Sequence, residues 1–178
     1  MSGWKPGDAK RTFHSMIRVD QAGEYGATRI YAGQLAVMGD RAPVARSIAG
    51  MANQEERHRV WFDAILARRG VRPTLLQPLW NVAGFALGAA TAAIGPKAAM
   101  ACTAAVETEI DRHYADQLRI LGDRDPELSE AIAGFQAEEV EHREAALASG
   151  AETMPGYPLL SGLIRLGCRV AIATAKRI

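Results

Sequence analysis

Apolar residues recur along the chain at helical spacing, and glycine and proline divide them into segments. A first segment runs from about Thr12 to Met38, and Gly39 with Asp40 ends it. Pro43 suits the first turn of a second helix, which continues to about Arg69, where Gly70 and Pro73 stop it. Leu79 to Ile94 is apolar, and Gly95-Pro96 breaks it. A helix from about Lys97 reaches Leu121 and closes at Gly122. Asp125-Pro126-Glu127 supplies an N-cap, a first-turn proline and a first-turn acid for the next helix, which ends near Gly150. A last apolar helix spans about Leu159 to Lys176. No strand-like alternation of useful length occurs, so the chain reads as all-α.

Composition narrows this picture. The 178 residues suit one domain, 1–178, with a full core and no need of disulfides. The apolar fraction of 48% argues against disorder. Much of it is alanine, which favours helix over strand. Lys plus Arg number 21 against 20 Asp plus Glu, so no bulk basic field offers a surface for nucleic acid. Cys102 and Cys168 lack CxxC spacing and read as buried thiols in a reducing compartment. The N-terminal MSGWKPGDAKRTFH has no apolar run, so it is not a secretory signal, and a bacterial cytoplasmic location is expected.

Two segments are apolar enough to raise the question of a membrane. Leu79 to Val106 carries one charge, Lys97, but Gly95-Pro96 splits it and leaves about 16 residues before the break, short for a span. A buried or membrane-surface helix is the expectation for 79–94. The last helix mixes Leu159, Leu160, Leu163, Ile164, Leu166, Val170 and Ile172 with Arg165, Arg169 and Lys176. That mixture suits a membrane interface or packing on the domain.

An internal repeat carries the chemistry. Glu24–Leu35 aligns with Glu107–Leu118, with six of twelve positions identical: Glu, Arg, Tyr, Ala, Gln and Leu. Glu55-Glu56-Arg57-His58-Arg59 then matches Glu139-Val140-Glu141-His142-Arg143. Glu24 and Glu55 are 31 residues apart, and Glu107 and Glu139 are 32 apart. The chain is thus two copies of one helical hairpin, 12–70 and 97–150. Each has a lone Glu on its first helix and Glu-x-x-His on its second.

Residues three apart on a helix share a face, so Glu55 points with His58 and Glu139 with His142. Packing the hairpins together puts four carboxylates and two imidazoles in one bundle core. That set matches the ferritin-like di-iron and di-manganese carboxylate proteins, a four-helix bundle here extended by additional apolar helices. Four buried carboxylates would be prohibitive unpaired, and two divalent ions neutralise them. Oxygen-rich donors with one histidine per metal suit iron or manganese better than zinc or copper.

Around these ligands, Asp20 and Asp111 lie four residues from Glu24 and Glu107 and are candidates to take the outer N–H of a metal-bound histidine. Tyr31 and Tyr114, seven residues beyond the lone glutamates, are candidates for a channel or a relay, or plain core. His113 lies off the Glu107 stripe and reads as a channel or surface residue. Glu56, Glu138 and Glu141 read as solvated helix surface. Arg29 and Arg112 match between repeats and suit pairing with neighbouring acids.

The segments RVDQAGEYGATRIYAGQ (Arg18–Gln34), QEERH (Gln54–His58), AVETEIDRHYADQL (Ala105–Leu118), EEVEH (Glu138–His142) and GCRVAI (Gly167–Ile172) resemble the demethoxyubiquinone hydroxylase family over nearly the whole chain. The resemblance implies a di-iron monooxygenase with two Fe ions held by Glu24, Glu55, His58, Glu107, Glu139 and His142. It implies ring hydroxylation of a polyprenyl demethoxyquinone with O2 in ubiquinone biosynthesis, with NADH as reductant. No GxGxxG is present, so NADH would not bind through a Rossmann unit. It further implies a peripheral enzyme on the cytoplasmic face of the bacterial inner membrane, with docking through 79–94 and the last helix. A homo-oligomer and an accessory protein of the pathway stay open as partners. The competing readings are a ferritin-like iron oxidase or peroxide scavenger with the same ligands, and a metal-free membrane-associated helical scaffold.

Overall fold

A computed structural model describes residues 8–39 and 42–177, with side chains from residue 12 onward. Six α-helices fill it: α1 (Asp8–Met38), α2 (Ala45–Arg69), α3 (Gln77–Ile94), α4 (Pro96–Leu121), α5 (Pro126–Ala148) and α6 (Tyr157–Ala175). Two short 3₁₀ turns, Gly122–Arg124 and Ala151–Thr153, complete the order, and no strand occurs among the described residues. The fold is an all-α helical bundle.

Local chemistry sets most of the boundaries. Gly70 takes the left-handed conformation at φ 62° and its amide returns to the end of α2. Asp125 caps α5 by accepting the Leu128 amide, with Pro126 just inside the helix. Prolines 78, 96 and 158 open α3, α4 and α6 in the same way. Pro43 departs from expectation. It lies in the turn ahead of α2, which starts at Ala45 behind an N-cap at Val44. The Ala45 amide bonds to the Ala42 carbonyl at 2.9 Å, so the chain turns before it coils. Asp40, expected to help end the first helix, lies outside the described residues.

Helices α1 and α2 pair as one hairpin and α4 and α5 as the other, with α3 laid on α1 and α6 on α4. The repeat therefore extends to a third helix: α3 opens with Gln77-Pro78-Leu79 and α6 with Tyr157-Pro158-Leu159. Apolar clusters fill both ends of the bundle. Met38, Ile48, Met51, Met100 and Ala146 belong to one cluster, and Ile17, Phe62, Ile65, Leu121 and Ile132 to the other. Between them, at the middle of α1, α2, α4 and α5, lies a layer of acids and histidines.

The apolar run Leu79–Val106 is not one element. It folds back at Gly95, and Ala98 to Val106 is buried along α4. Among the described residues, only Tyr157–Ala175 is long and apolar enough to cross a membrane.

Candidate metal centre

Helix α1 brings Glu24 to the middle layer, α2 brings Glu55 and His58, α4 brings Glu107, and α5 brings Glu139 and His142. All six are buried. They form two overlapping groups whose potential donor atoms lie within 4.8 Å of one another: Glu24, Glu55, His58 and Glu139, and Glu55, Glu107, Glu139 and His142. Glu55 and Glu139 are common to both, which places them between two positions. His58 Nδ1 sits 3.4 Å from Glu24 and 3.2 Å from Glu139. His142 Nδ1 sits 3.2 Å from Glu55 and 3.2 Å from Glu139. Each imidazole thus meets a carboxylate of the opposite hairpin.

The inner atoms of this layer are orphans. Glu24 Oε2, both oxygens of Glu55, Glu107 Oε2, both oxygens of Glu139 and the Nδ1 atoms of both histidines are buried without a hydrogen-bond partner. Buried polar atoms are normally satisfied, and eight clustered orphans of this chemistry fit a pair of divalent cations. Without cations, protons must do the work. Burial and mutual repulsion hold the carboxyls of Glu55 and Glu107 well above the ordinary range, and burial raises that of Glu24. Burial opposes charge on His58, but the Glu139 and Glu24 carboxylates close to Nδ1 outweigh it and push the imidazole up to about 10. Burial also opposes charge on Glu139, yet the nearby imidazoles of His142 and His58 bring it down to about 2.

The repeat is reciprocal in space. Tyr31 of the first hairpin donates to Glu107 at 2.7 Å, and Tyr114 of the second donates to Glu24. Both tyrosines therefore hold the outer oxygen of the other hairpin's lone glutamate. Gln34 donates to the Ala99 carbonyl on α4, and Gln117 donates to Asp20 on α1 at 2.6 Å.

The expected partners of the histidines are not where the spacing put them. Asp20 is buried against Gln117 and His113, the latter at 3.3 Å. Asp111 turns outward to Arg143 at 2.7 Å and Gln136 at 2.7 Å. Four residues advance a helix by a little more than one turn, so each aspartate rotates off the glutamate's line toward a neighbouring helix. The outer nitrogens go elsewhere. His142 Nε2 lies 2.9 Å from Gln54 Oε1, and His58 Nε2 lies 3.3 Å from Glu138 Oε2. The Gln54 amide in turn donates to Glu138 at 2.9 Å. Glu138 is thus no idle surface acid. The signal that could have found the pair is their place in the repeat, each one residue ahead of Glu55 or Glu139. Of the two matching arginines, Arg112 lies 3.7 Å from Glu109, whereas Arg29 sits over the Phe85 ring at 5.2 Å.

Beside this layer runs an apolar groove of about 490 Å³ between α1, α3, α4 and α6. Trp80 and Leu87 wall one side and Leu163 and Cys168 the other. Gly23 and Ala27, which flank Glu24, and Val106, which precedes Glu107, contribute to its lining. The groove thus runs along the backs of the two helices that carry the lone glutamates.

The model of the family described as ubiquinone biosynthesis protein COQ7 matches residues 11–175. The chain belongs to that family. It is similar to a protein of Rhodospirillum rubrum named 3-demethoxyubiquinol 3-hydroxylase, 53% identical over 162 residues, covering 91% of this chain and 76% of that protein. A human relative, named NADPH-dependent 3-demethoxyubiquinone 3-hydroxylase, mitochondrial, is 50% identical over 167 residues, covering 92% of this chain and 76% of its own. A Saccharomyces cerevisiae relative named 5-demethoxyubiquinone hydroxylase, mitochondrial, is 42% identical over 188 residues, covering 96% and 81%. The COQ7 family belongs to the ferritin-like di-iron superfamily, whose bundles carry such glutamate and Glu-x-x-His sets.

Proposed function

We propose that the chain is a di-iron monooxygenase that hydroxylates the ring of a polyprenyl demethoxyquinone, as the names of its relatives indicate for them. The observation that carries this reading is the layer of eight orphaned donor atoms beside an apolar groove. Glu24, Glu55, His58 and Glu139 would hold one iron, and Glu107, Glu55, Glu139 and His142 the other. Iron bound there supplies the redox chemistry that activates O2. Balance requires that one oxygen atom enter a ring C–H and the other leave as water, with two electrons and two protons consumed. A nicotinamide cofactor is the source of those electrons: NADH in the reading of the sequence, NADPH in the human relative's name.

The chain's own residues orient and exclude. Tyr31 and Tyr114 fix the outer oxygens of Glu107 and Glu24, so the inner oxygens face inward. The apolar groove takes a prenyl tail and keeps water from the ring. Leu79 and Val82 on α3, with Leu159, Leu163, Leu166 and Val170 on α6, expose large apolar side chains beside it. These suit docking at a membrane surface, on the cytoplasmic face of a bacterial inner membrane, where a polyprenyl substrate resides. An iron oxidase or peroxide scavenger would use the same donors and have no use for the groove.

Turnover tests the reading. Purified protein loaded with iron should convert a prenylated demethoxyquinone to its hydroxylated product with O2 and a reduced nicotinamide. Glu55→Ala and Glu139→Ala should abolish product. Retained turnover in either variant overturns the ligand assignment, and iron mineralisation without quinone turnover favours the oxidase.

A further inference from the structure

The repeat gives each half of the centre the same donors: a lone glutamate, a histidine and two glutamates held in common. The hydrogen-bonding groups that touch those donors are also matched in kind, with one exception. Tyr31 on Glu107 answers Tyr114 on Glu24. Behind His142, however, stands the neutral amide of Gln54, and behind His58 stands the carboxylate of Glu138. These two residues occupy equivalent places in the repeat, so among the groups that touch the donors the pseudo-twofold relation is broken in charge at this pair. Both outer contacts leave each Nδ1 facing the carboxylates.

An imidazole whose outer N–H points at a carboxylate becomes a stronger donor through its other nitrogen. A neutral amide oxygen polarises it less. Arg57 contacts Glu138 at 3.3 Å, but its side chain is 62% exposed, so water screens much of its charge. The carboxylate also accepts from the Gln54 amide. One residue thereby orders both sides at once, the charged partner directly and the neutral one through the amide it orients.

We propose that Glu138 and Gln54 are positioning residues that make the two metal positions unequal. The position held by His58 binds a divalent cation more tightly, and retains the higher oxidation state more readily, than the position held by His142. The inference rests on the dinuclear reading above, and its test separates the two.

Crystals of the full chain grown from metal-free protein with one equivalent of Mn(II) report occupancy at each position by anomalous scattering. Wild type should favour the His58 side by about tenfold, within the range by which such outer partners alter metal affinity. E138Q keeps an acceptor oxygen and should bring the two occupancies to within about threefold of each other. The double exchange Q54E/E138Q preserves the amide–carboxylate contact with its sense reversed and should move the preference to the His142 side. Equal occupancy in wild type overturns the proposal, as does a preference that the exchange leaves unmoved. Glu138 is partly exposed, so E138Q does not threaten the fold. Mössbauer spectra of the half-loaded ⁵⁷Fe(II) protein in solution give a second readout: one quadrupole doublet dominates in wild type, and two of similar area appear in E138Q. Absence of bound metal in wild type would instead defeat the dinuclear reading itself.

Discussion

Helix α3 lies on α1 much as α6 lies on α4, and the two contacts are made of opposite materials. On the first, glycine stands where the helices meet. A side chain on Gly88 would run into the Ile30 carbonyl, one on Gly33 into the Phe85 carbonyl, and one on Gly84 would come within 2.9 Å of the Gly26 carbonyl. Backbone rests on backbone. On the second, the repeat equivalent of Gly26 is Glu109, buried at 3% exposure and held by Arg165 at 2.7 Å and Arg169 at 3.0 Å. Gly162 and Gly167 on α6 meet nothing close. One apolar helix is seated by dispersion over a close interface; the other packs Ile164 on Cys102 and Val106 and adds an ion-pair clasp, with space left beside it. That space belongs to the groove beside the metal centre. The difference teaches that an open apolar site needs one wall that does not close-pack.

The largest expected effect falls on both halves together, because the acidic layer joins them. In metal-free protein, Glu24, Glu55 and Glu107 titrate above their unfolded value of 4.5, so the folded chain binds extra protons and stability falls as pH rises past that value. His58 adds to the slope: its contribution is whole below 6.5 and is lost as pH approaches about 10. Glu139 acts oppositely, but only as pH falls from 4.5 toward about 2. Thermal melts of metal-free protein should therefore drop steadily from pH 5 to pH 9. Iron at a thousand times its dissociation constant should restore about 4 kcal/mol at neutral pH. A metal-free melt that rises over this range would refute the proton bookkeeping.

Next in size, Gly88→Ala should separate the halves. The added methyl meets backbone that cannot swing aside, so a loss of about 3 kcal/mol and a Tm lower by roughly 6–12 °C are expected. A shift under about 2 °C would mean that α3 is not seated on glycine.

How much of this was legible follows from where each interaction is encoded. That the four glutamates and two histidines cluster is legible in the sequence because Glu-x-x-His is a relation within one helix, repeated at a fixed offset. Helix ends marked by Gly70, Asp125 and Pro126 were readable for the same reason. Spacing along one helix does not locate the partners of the histidines at Asp20 and Asp111, because the outer nitrogen reaches across the bundle and helix packing selects what it meets. Glu138 looked like a solvated acid for that reason. Nothing in the sequence marks Glu109, since its arginines on α6 lie 56 and 60 residues away.

Glu109→Ala tests the clasp. A wholly buried ion pair loses about 3–5 kcal/mol when one partner goes, but the side chains of Arg165 and Arg169 are 37% and 49% exposed. About 2 kcal/mol is the expected cost after that screening. Hydrogen exchange should quicken across α6 while α3 keeps its protection. Product formation should weaken chiefly through a higher KM for long-tailed quinones, because α6 forms one wall of the groove. Uniform loss of protection in both helices would show that Glu109 supports the whole bundle rather than one helix.

The smallest effect is the most direct contrast with Gly88. Gly162 is an exposed helical glycine with nothing within 4 Å of where a Cβ would stand. Gly162→Ala removes backbone freedom from the unfolded chain and meets no obstacle in the folded one. Stability should rise by about 0.5–1 kcal/mol, a Tm gain of roughly 1–4 °C. The two alanine variants thus carry opposite signs at glycines on the two outer helices of the repeat. If Gly162→Ala were instead to cost stability, this outward face of α6 would have to be covered in solution rather than exposed.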